Sequence, residues 1–257
     1  MRPKPVVFTA GFLDIKGVGK GWKRMVKLDH VVYFTEKAPA MVVEEQAYLG
    51  WHAVIGGKHE KWGTQNALMY MQNAYIEWLS VAQEEIAQNS NHQLVEQLLR
   101  DLPEGENWGT VCCSVQGIDK FNEEIRDVGY QTSGVLDAER KTTSGDIVKW
   151  KMLFIEQEVS DALPLPFFIE WEKDDVNRFK DLREDGVILP GNEKIGVTEC
   201  LFSVNNPSKV ATEWRALLSV GTSEENMIVL PNVIFKFIQN EFGNKRERLI
   251  DVVIEHI

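Results

Sequence analysis

Apolar and polar positions along residues 28–79 predict one strand, one helix and three further strands, in that order. The first strand is rich in β-branched and aromatic residues, and the helix has Pro39 in its first turn and Gly50 as its stop. The predicted elements are a strand at 28–35, a helix at 38–49 and strands at 51–55, 66–71 and 74–79.

The same β-α-β-β-β order recurs twice more at a spacing of roughly 90 residues, which indicates an internal repeat. An amphipathic helix over 81–100 joins the first repeat to the second. The second repeat has a strand at 109–115, a helix at 118–128 and strands at 130–136, 147–155 and 167–171. The third has a strand at 196–203, a helix at 207–218 and strands at 226–230, 232–238 and 247–256. Such repeats predict an α+β fold, with helices on one face of a curved sheet and a cavity on the other.

An isoleucine and a glutamate lie in the last strand of every repeat, as Ile76-Glu77, Ile169-Glu170 and Ile254-Glu255. A carboxylate within an apolar strand is costly unless a partner or a ligand satisfies it. We therefore expect these strands to direct carboxylates toward a shared site. In the third repeat, Glu255 lacks a histidine partner, because Glu199 occupies the position that His30 has in the first.

His30 lies on the first strand of the first repeat and can face Glu77 if the two strands are neighbours. Glu170 joins them if the first two repeats face each other. An imidazole and carboxylates suit a divalent ion such as Zn, Ni, Mn or Fe. Three protein ligands with one open position describe a catalytic metal site, so His30, Glu77 and Glu170 are the candidate metal ligands.

The composition narrows the classes of partner. The chain has 257 residues, of which 44% are hydrophobic and 26% charged, and its net charge of -11 argues against a nucleic-acid binder. No apolar run reaches the roughly 18 residues that span a bilayer, and the N-terminal segment lacks the apolar core of a signal peptide. We expect a cytoplasmic protein with a small-molecule partner, without nucleic acid or membrane, whose three cysteines are free thiols.

Residues 1–26 differ from the rest of the chain, because residues 16–24 are basic and rich in glycine. They predict an N-terminal extension that is either disordered or not native. A charged run over 172–180 separates the second repeat from the third. We expect one domain of two repeats over 27–175 and a third β-α-β-β-β module over 192–257.

Four segments resemble the glyoxalase-like branch of the vicinal oxygen chelate superfamily, over about residues 27–175. They are Leu28-Asp29-His30-Val31-Val32, the loop and strand from Gly56 to Leu68, Tyr75-Ile76-Glu77, and the run from Leu165 to Glu170. The resemblance implies that two βαβββ modules pair into a cup, where a divalent metal chelates neighbouring oxygens of a substrate. It implies His30, Glu77 and Glu170 as ligands, with a departure at Thr110, where a fourth ligand is expected.

The resemblance leaves two functions open. The first is a metal-dependent lyase, isomerase or dioxygenase-like enzyme for a small oxygenated substrate, in which Glu77 or Glu170 transfers a proton. The second is a metal-free protein that binds or sequesters a small molecule in the same cup, which the missing ligand at Thr110 favours. The third module either pairs with its copy in a homodimer or caps the cup.

Four further residues are candidates for the mouth of the cup. His59 is either a substrate contact and general acid or base, or a residue bonded to its own glycine loop. Asn66 either binds substrate oxygens or orients that loop. Arg140 and Trp150, on a predicted hairpin, are candidates for binding an anionic substrate beside a flat aromatic wall.

Overall fold

The computed structural model describes residues 25–141, 145, 147–221, 224–241 and 246–257. Residues 1–24 of the predicted extension therefore lie outside the described residues. The first module consists of β1 (Lys27–Phe34), α1 (Pro39–Tyr48), β2 (Val54–His59), β3 (Thr64–Tyr70) and β4 (Tyr75–Val81). Two helices follow, α2 (Glu84–Gln88) and α3 (Gln93–Asp101). The second module consists of β5 (Asn107–Ser114), α4 (Ile118–Asp127), β6 (Leu136–Lys141), β7 (Ile147–Leu153) and β8 (Phe167–Trp171).

The two modules form one eight-stranded sheet of order β2-β3-β4-β1-β5-β8-β7-β6. In each module the first strand pairs in parallel with the last, and β1 and β5 pair antiparallel at the centre. This arrangement confirms the α+β fold of repeated βαβββ modules. It also places His30 and Glu77 on neighbouring strands.

The eight-stranded sheet has two faces, which we call the helix face and the cup face. The helix face carries Val31, Val111 and Phe168, and the ring of Phe121 from α4 lies 4.5 Å from that of Phe168. The cup face carries a separate apolar cluster that includes Val32, Phe34, Leu79, Phe167 and Ile169. Alternation along each strand assigns the side chains to these two faces.

Two helical segments cover the cup face. Leu98 of α3 is fully buried against the apolar cluster of the cup face. Helix α5 (Asp175–Glu184), in the charged run after the second module, places Leu182 against Leu68, Tyr70 and Tyr75. Helices α3 and α5 therefore both pack on the face of the sheet that carries His30 and Glu77.

The third module has its own four-stranded sheet, built from β9 (Ile195–Val204), α6 (Pro207–Leu218), β10 (Met227–Val229), β11 (Ile234–Gln239) and β12 (Arg248–His256). Its order is β10-β11-β9-β12, so β12 pairs antiparallel with β9, as β5 does with β1. Glu255 thus lies on a counterpart of β5, and the counterpart of β4 is β11.

The counterparts of His30 and Glu77 in the third module are Glu199 and Lys236. His30 is opposite Tyr75, two residues before Glu77, and Glu199 is opposite Ile234, two residues before Lys236. Glu199 and Lys236 form an ion pair whose side chains are 28% and 33% exposed. No helix in the described part of the chain is long and apolar enough to cross a membrane.

Candidate functional site

A β-bulge in β1 brings Asp29 and His30 together. The pairing of β1 with β5 shifts between Leu28 and His30, which leaves Asp29 as the extra residue. Nδ1 of His30 lies 2.9 Å from Oδ1 of Asp29, although adjacent residues of a regular strand point to opposite faces. Oδ2 of Asp29 accepts hydrogen bonds from the Trp171 indole at 2.8 Å and from Arg178 at 3.2 Å.

His30 is 3% exposed and lies between two carboxylates. Its Nε2 is 3.3 Å from Oε2 of Glu77 and has no hydrogen-bond partner among the described residues. Burial lowers the pKa of His30, but Asp29 and Glu77 outweigh burial and raise it above the usual 6.5. Burial raises the pKa of Asp29, but Arg178 and His30 outweigh burial and lower it below 3.8.

Glu77 is 8% exposed and is oriented by Asn66 on the neighbouring strand. The Asn66 amide donates to Oε1 of Glu77 at 2.5 Å, and its oxygen accepts from the Gly57 backbone at 2.7 Å. A Cβ at Gly56 would collide with this amide, so glycine is required at that position. Burial raises the pKa of Glu77, but His30, His59 and Asn66 outweigh burial and lower it below 4.5. Glu77 is therefore ionised at neutral pH.

His59 and His92 occupy the side of the cup near Glu77. Nδ1 of His59 lies 2.9 Å from the Thr64 hydroxyl, and burial lowers the pKa of His59 below 6.5 despite the charge of Glu77. The ring of His92 lies 4.2 Å from that of Trp62 and 4.6 Å from that of Phe154. Burial, with a smaller contribution from His59, lowers the pKa of His92 to about 4, so this imidazole is neutral at pH 7.

Aromatic rings enclose the His30–Glu77 pair. Tyr75 stacks on His30 with ring centroids 4.4 Å apart, and the edge of Phe167 approaches it at 5.4 Å. Phe154 stacks in turn on Phe167 at 5.0 Å. These rings separate the pair from solvent and lower the local dielectric constant, which strengthens each charge interaction.

Glu170 is not brought to this pair. Its two carboxylate oxygens accept hydrogen bonds from the backbone N–H groups of Gly117 and Ile118, at 2.6 and 3.0 Å, at the beginning of α4. Glu170 therefore stabilises the N-terminus of a helix on the opposite face of the sheet. The predicted set of His30, Glu77 and Glu170 does not form one cluster in this structure.

Arg140 and Trp150 lie on the β6–β7 hairpin. Trp150 packs against the cup-face cluster and its ring lies 5.4 Å from that of Trp171. Burial raises the pKa of the Tyr70 phenol, and the positive charges of Arg140 and Arg178 partly offset this rise. The predicted aromatic wall and the predicted cation therefore both lie toward the α5 side of the cup.

The donor set does not fit a three-ligand metal centre. His30 and Glu77 provide two donors facing each other. A second group, Asp29, His30 and Cys112, has potential ligand atoms within 4.8 Å of one another. However, Asp29 is already bonded to Arg178 and Trp171, and burial raises the pKa of Cys112 well above 9.0, which keeps the thiol protonated.

Thr110, where the resemblance expected a fourth ligand, lies on β5 near the centre of the sheet. Its hydroxyl donates to the carbonyl of Leu165 at 3.2 Å. The residue directly opposite His30 on β5 is Cys112. Neither residue gives the second module a polar counterpart of His30.

Sequence reasoning missed Asp29, Arg178 and His92 as parts of the site. Asp29 lies beside His30 in the chain, but a regular strand would direct it to the other face. Arg178 lies in a charged run that resembles a linker, and His92 precedes a helix outside both modules. The signal for Arg178 was the spacing of Phe179 and Leu182, which gives α5 an apolar side.

The chain belongs to the glyoxalase-like domain family, whose model matches residues 28–218. This match confirms the resemblance to the glyoxalase-like branch of the vicinal oxygen chelate superfamily. No curated protein sequence matches the chain.

Comparison with solved structures supports the fold. A hypothetical protein from Staphylococcus aureus is 22% identical, with a TM-score of 0.75 over 90% of this chain and 92% of that chain. A methylmalonyl-CoA epimerase variant from Streptomyces coelicolor is 16% identical, with a TM-score of 0.40 over 56% of this chain and 96% of that chain. The corresponding epimerase from Mycobacterium tuberculosis is 17% identical, with a TM-score of 0.39 over 60% of this chain and 91% of that chain. The Staphylococcus aureus structure shows the fold over nearly the whole chain, whereas the epimerase scores are too low to indicate function.

Proposed function

We propose that this protein is an isomerase or lyase that moves a proton on a small substrate with two neighbouring oxygen atoms. The observation that supports it is the buried His30–Glu77 pair, in which Nε2 and Oε2 are 3.3 Å apart and Nε2 has no hydrogen-bond partner among the described residues. Two buried titratable groups with pKa values shifted in opposite directions are typical of catalytic pairs.

The directions of the pKa shifts support different roles for the two groups. Glu77 is ionised, so it accepts the proton from the carbon next to a substrate carbonyl. The raised pKa of His30 favours its protonated form, whose Nε2–H donates a hydrogen bond to the oxygen on which negative charge develops. Asp29 holds the opposite ring nitrogen at 2.9 Å, and Asn66 fixes the orientation of Glu77.

The metal-dependent form of this activity would rely on His30 and Glu77 as protein ligands. A Zn, Ni, Mn or Fe ion there would act as a Lewis acid on the substrate oxygens. The ion would also have to displace the proton that Asp29 and Glu77 hold on His30, so its affinity would rise with pH. Since only two donors face each other among the described residues, the proton transfer depends on the side chains of His30 and Glu77 themselves.

A metal-free binding protein is the second candidate function. The cup face of the second module supports it, because the side chains there are Cys112, Phe167 and Ile169 rather than polar groups. A cup that is polar on one side and apolar on the other suits retention of a small amphipathic ligand. Such a protein would need His30 and Glu77 only as hydrogen-bonding groups.

Two probes separate these functions. Acetohydroxamic acid carries two adjacent oxygens and tests binding by isothermal titration calorimetry. Hydroxyacetone in D₂O tests proton removal, because exchange at the carbon next to its carbonyl is followed by ¹H NMR. We expect the protein to bind the first and to exchange the second, with Glu77→Gln slowing exchange at least ~100-fold, the usual contribution of a general base.

Glu170→Gln is the matched control, since it makes the same change on the other face of the sheet. It should leave both readouts unchanged. Binding without exchange would support the binding protein, and failure to bind acetohydroxamic acid would contradict both functions. Metal analysis of protein purified without chelators, with the titration repeated after EDTA treatment, decides whether binding depends on an ion.

A further inference from the structure

Arg178 is a buried cation in the cover of the cup. Arg178 is 8% exposed. Its guanidinium carbon lies 4.5 Å from the centroid of the Trp171 ring and 5.0 Å from that of the Phe179 ring. Nη2 donates to Oδ2 of Asp29 at 3.2 Å and to Oδ1 of Asp175 at 3.3 Å. A single carboxylate, that of Asp29, therefore connects the guanidinium to His30.

Two of the three guanidinium nitrogens have no acceptor. Nε and Nη1 of Arg178 are shielded from solvent and lack a hydrogen-bond partner among the described residues. Together they carry three N–H donors. Leaving a buried charged donor unsatisfied costs about 1–3 kcal/mol or more, so a structural role alone does not account for this arrangement.

The charges around Arg178 favour an anion. Asp175 is also paired with Lys27, and Asp29 is also bonded to His30, so each carboxylate is shared between two cationic or protonated groups. The charge of Arg140 reaches Tyr70 on the same side of the cup. Arg178 therefore shares both of the carboxylates that face it with other groups.

We propose that Arg178 selects substrates that carry a carboxylate, which it binds through its unpaired N–H donors while the two substrate oxygens lie at His30 and Glu77. This inference rests on the proposed function and names the substrate class for it. A planar carboxylate fits the edge of a guanidinium and forms charge-assisted hydrogen bonds with it. Trp171 and Phe179 lie against the guanidinium, so a ligand would approach along its edge, where Nε and Nη1 lie.

The test compares hydroxamates that differ only in a terminal carboxylate. Malonic, succinic and glutaric monohydroxamates are each titrated against the neutral hydroxamate of the same chain length, that is, propano-, butano- and pentanohydroxamic acid. We expect at least one carboxylate-bearing member to bind at least ~10-fold more tightly than its neutral counterpart in the wild-type protein at 0.1 M salt.

Two variants on α5 assign that preference to Arg178. Arg178→Lys keeps the charge but removes the planar fork, and it should reduce the preference to less than ~3-fold while acetohydroxamic acid still binds. Arg183→Lys makes the same change on the same helix, where Arg183 pairs with the partly exposed Glu193, and it should retain the full preference.

Two outcomes would overturn the inference, and each is distinct from failure of the proposed function. Equal wild-type affinity for the charged and neutral hydroxamates would mean that water satisfies Arg178. If Arg178→Lys binds neither the charged nor the neutral hydroxamates, Arg178 has a purely structural role. If Arg178→Lys does not fold, the wild-type comparison alone decides. The proposed function fails instead if acetohydroxamic acid does not bind or if hydroxyacetone does not exchange.

Discussion

Strands β4 and β8 carry the same Ile-Glu-Trp triplet, but the two glutamates point to opposite faces of one sheet. In β4, Glu77 lies on the cup face beside His30. In β8, Ile169 lies on the cup face and Glu170 binds the beginning of α4 on the helix face. The triplet therefore identifies the last strand of a module, whereas the pairing register decides which side chain enters the cup.

The register explains the difference. His30 is opposite Tyr75 in the first module, and two residues further along β4 is Glu77. The partner of His30 on β5 is Cys112, which is opposite Phe167, and two residues further along β8 is Ile169. Ile169 is thus the counterpart of Glu77. A shift of one residue exchanges every side chain between faces.

The largest expected effect comes from removing Asp29, the buried carboxylate of the first module. Asp29→Ala leaves Arg178 and protonated His30 without their shared carboxylate, so we expect the free energy of unfolding to fall by about 3–5 kcal/mol. Urea denaturation measures it. Asp175→Ala removes the other carboxylate near Arg178, but that side chain is 42% exposed, and its loss should cost less than about 1 kcal/mol. Equal losses would contradict the importance of burial here.

The next effect tests how the first module orients its glutamate. Gly56→Ala introduces a methyl group that collides with the Asn66 amide and displaces it from Glu77, so we expect a loss of about 1–3 kcal/mol in unfolding free energy. Binding of acetohydroxamic acid should weaken as well. Gly191→Ala is the control, because a Cβ there meets open space. Unchanged binding in Gly56→Ala would show that Glu77 does not need Asn66.

A smaller effect is expected in the second module. Glu170→Gln removes the negative charge at the beginning of α4 and should lower the free energy of unfolding by about 1 kcal/mol, as loss of a helix cap does. Thermal denaturation measures it at neutral pH. A loss above about 3 kcal/mol would place Glu170 in a buried charge network like that of the first module.

The smallest expected effect is the dependence of the free energy of unfolding on pH. The raised pKa of His30 means that its stabilising contribution is full below pH 6.5 and is lost as pH rises through the folded-state pKa. The lowered pKa of Glu77 means that its contribution is full above pH 4.5 and is lost as pH falls through the folded-state pKa. Both contributions are therefore complete between these values. His92 has a lowered pKa of about 4, so its burial in the neutral form becomes destabilising as pH falls below 6.5.

NMR titration of the histidine ring protons checks these directions. The His30 signal should titrate above pH 6.5 and the His92 signal near pH 4. Glu77→Gln should lower the pKa of His30, because one of the two carboxylates that favour the imidazolium is lost. A His30 signal that titrates below 6.5 would remove the assignment of His30 as the hydrogen-bond donor.

The sequence predicted the order of elements well, because apolar periodicity is a local property of each segment. It also predicted that His30 and Glu77 would meet, since both lie on strands whose pairing is fixed by the module. It could not place Glu170, because the register between β5 and β8 depends on contacts between distant residues. Asp29 was hidden for a similar reason: the bulge that turns it toward His30 arises only when β1 pairs with β5.

The third module shares one hydrophobic core with the helix face of the eight-stranded sheet. Cys200, Phe202 and Trp214 belong to the same buried cluster as Val31 and Phe168, and β12 packs against β5. The family match ends at residue 218, after β9 and α6 but before β10, β11 and β12. A fragment cut at that limit would keep the apolar side of β9 and lose both strands that flank it. The hydrophobic core thus extends beyond the residues that the family model matches, so we expect a folded site to require the chain through β12.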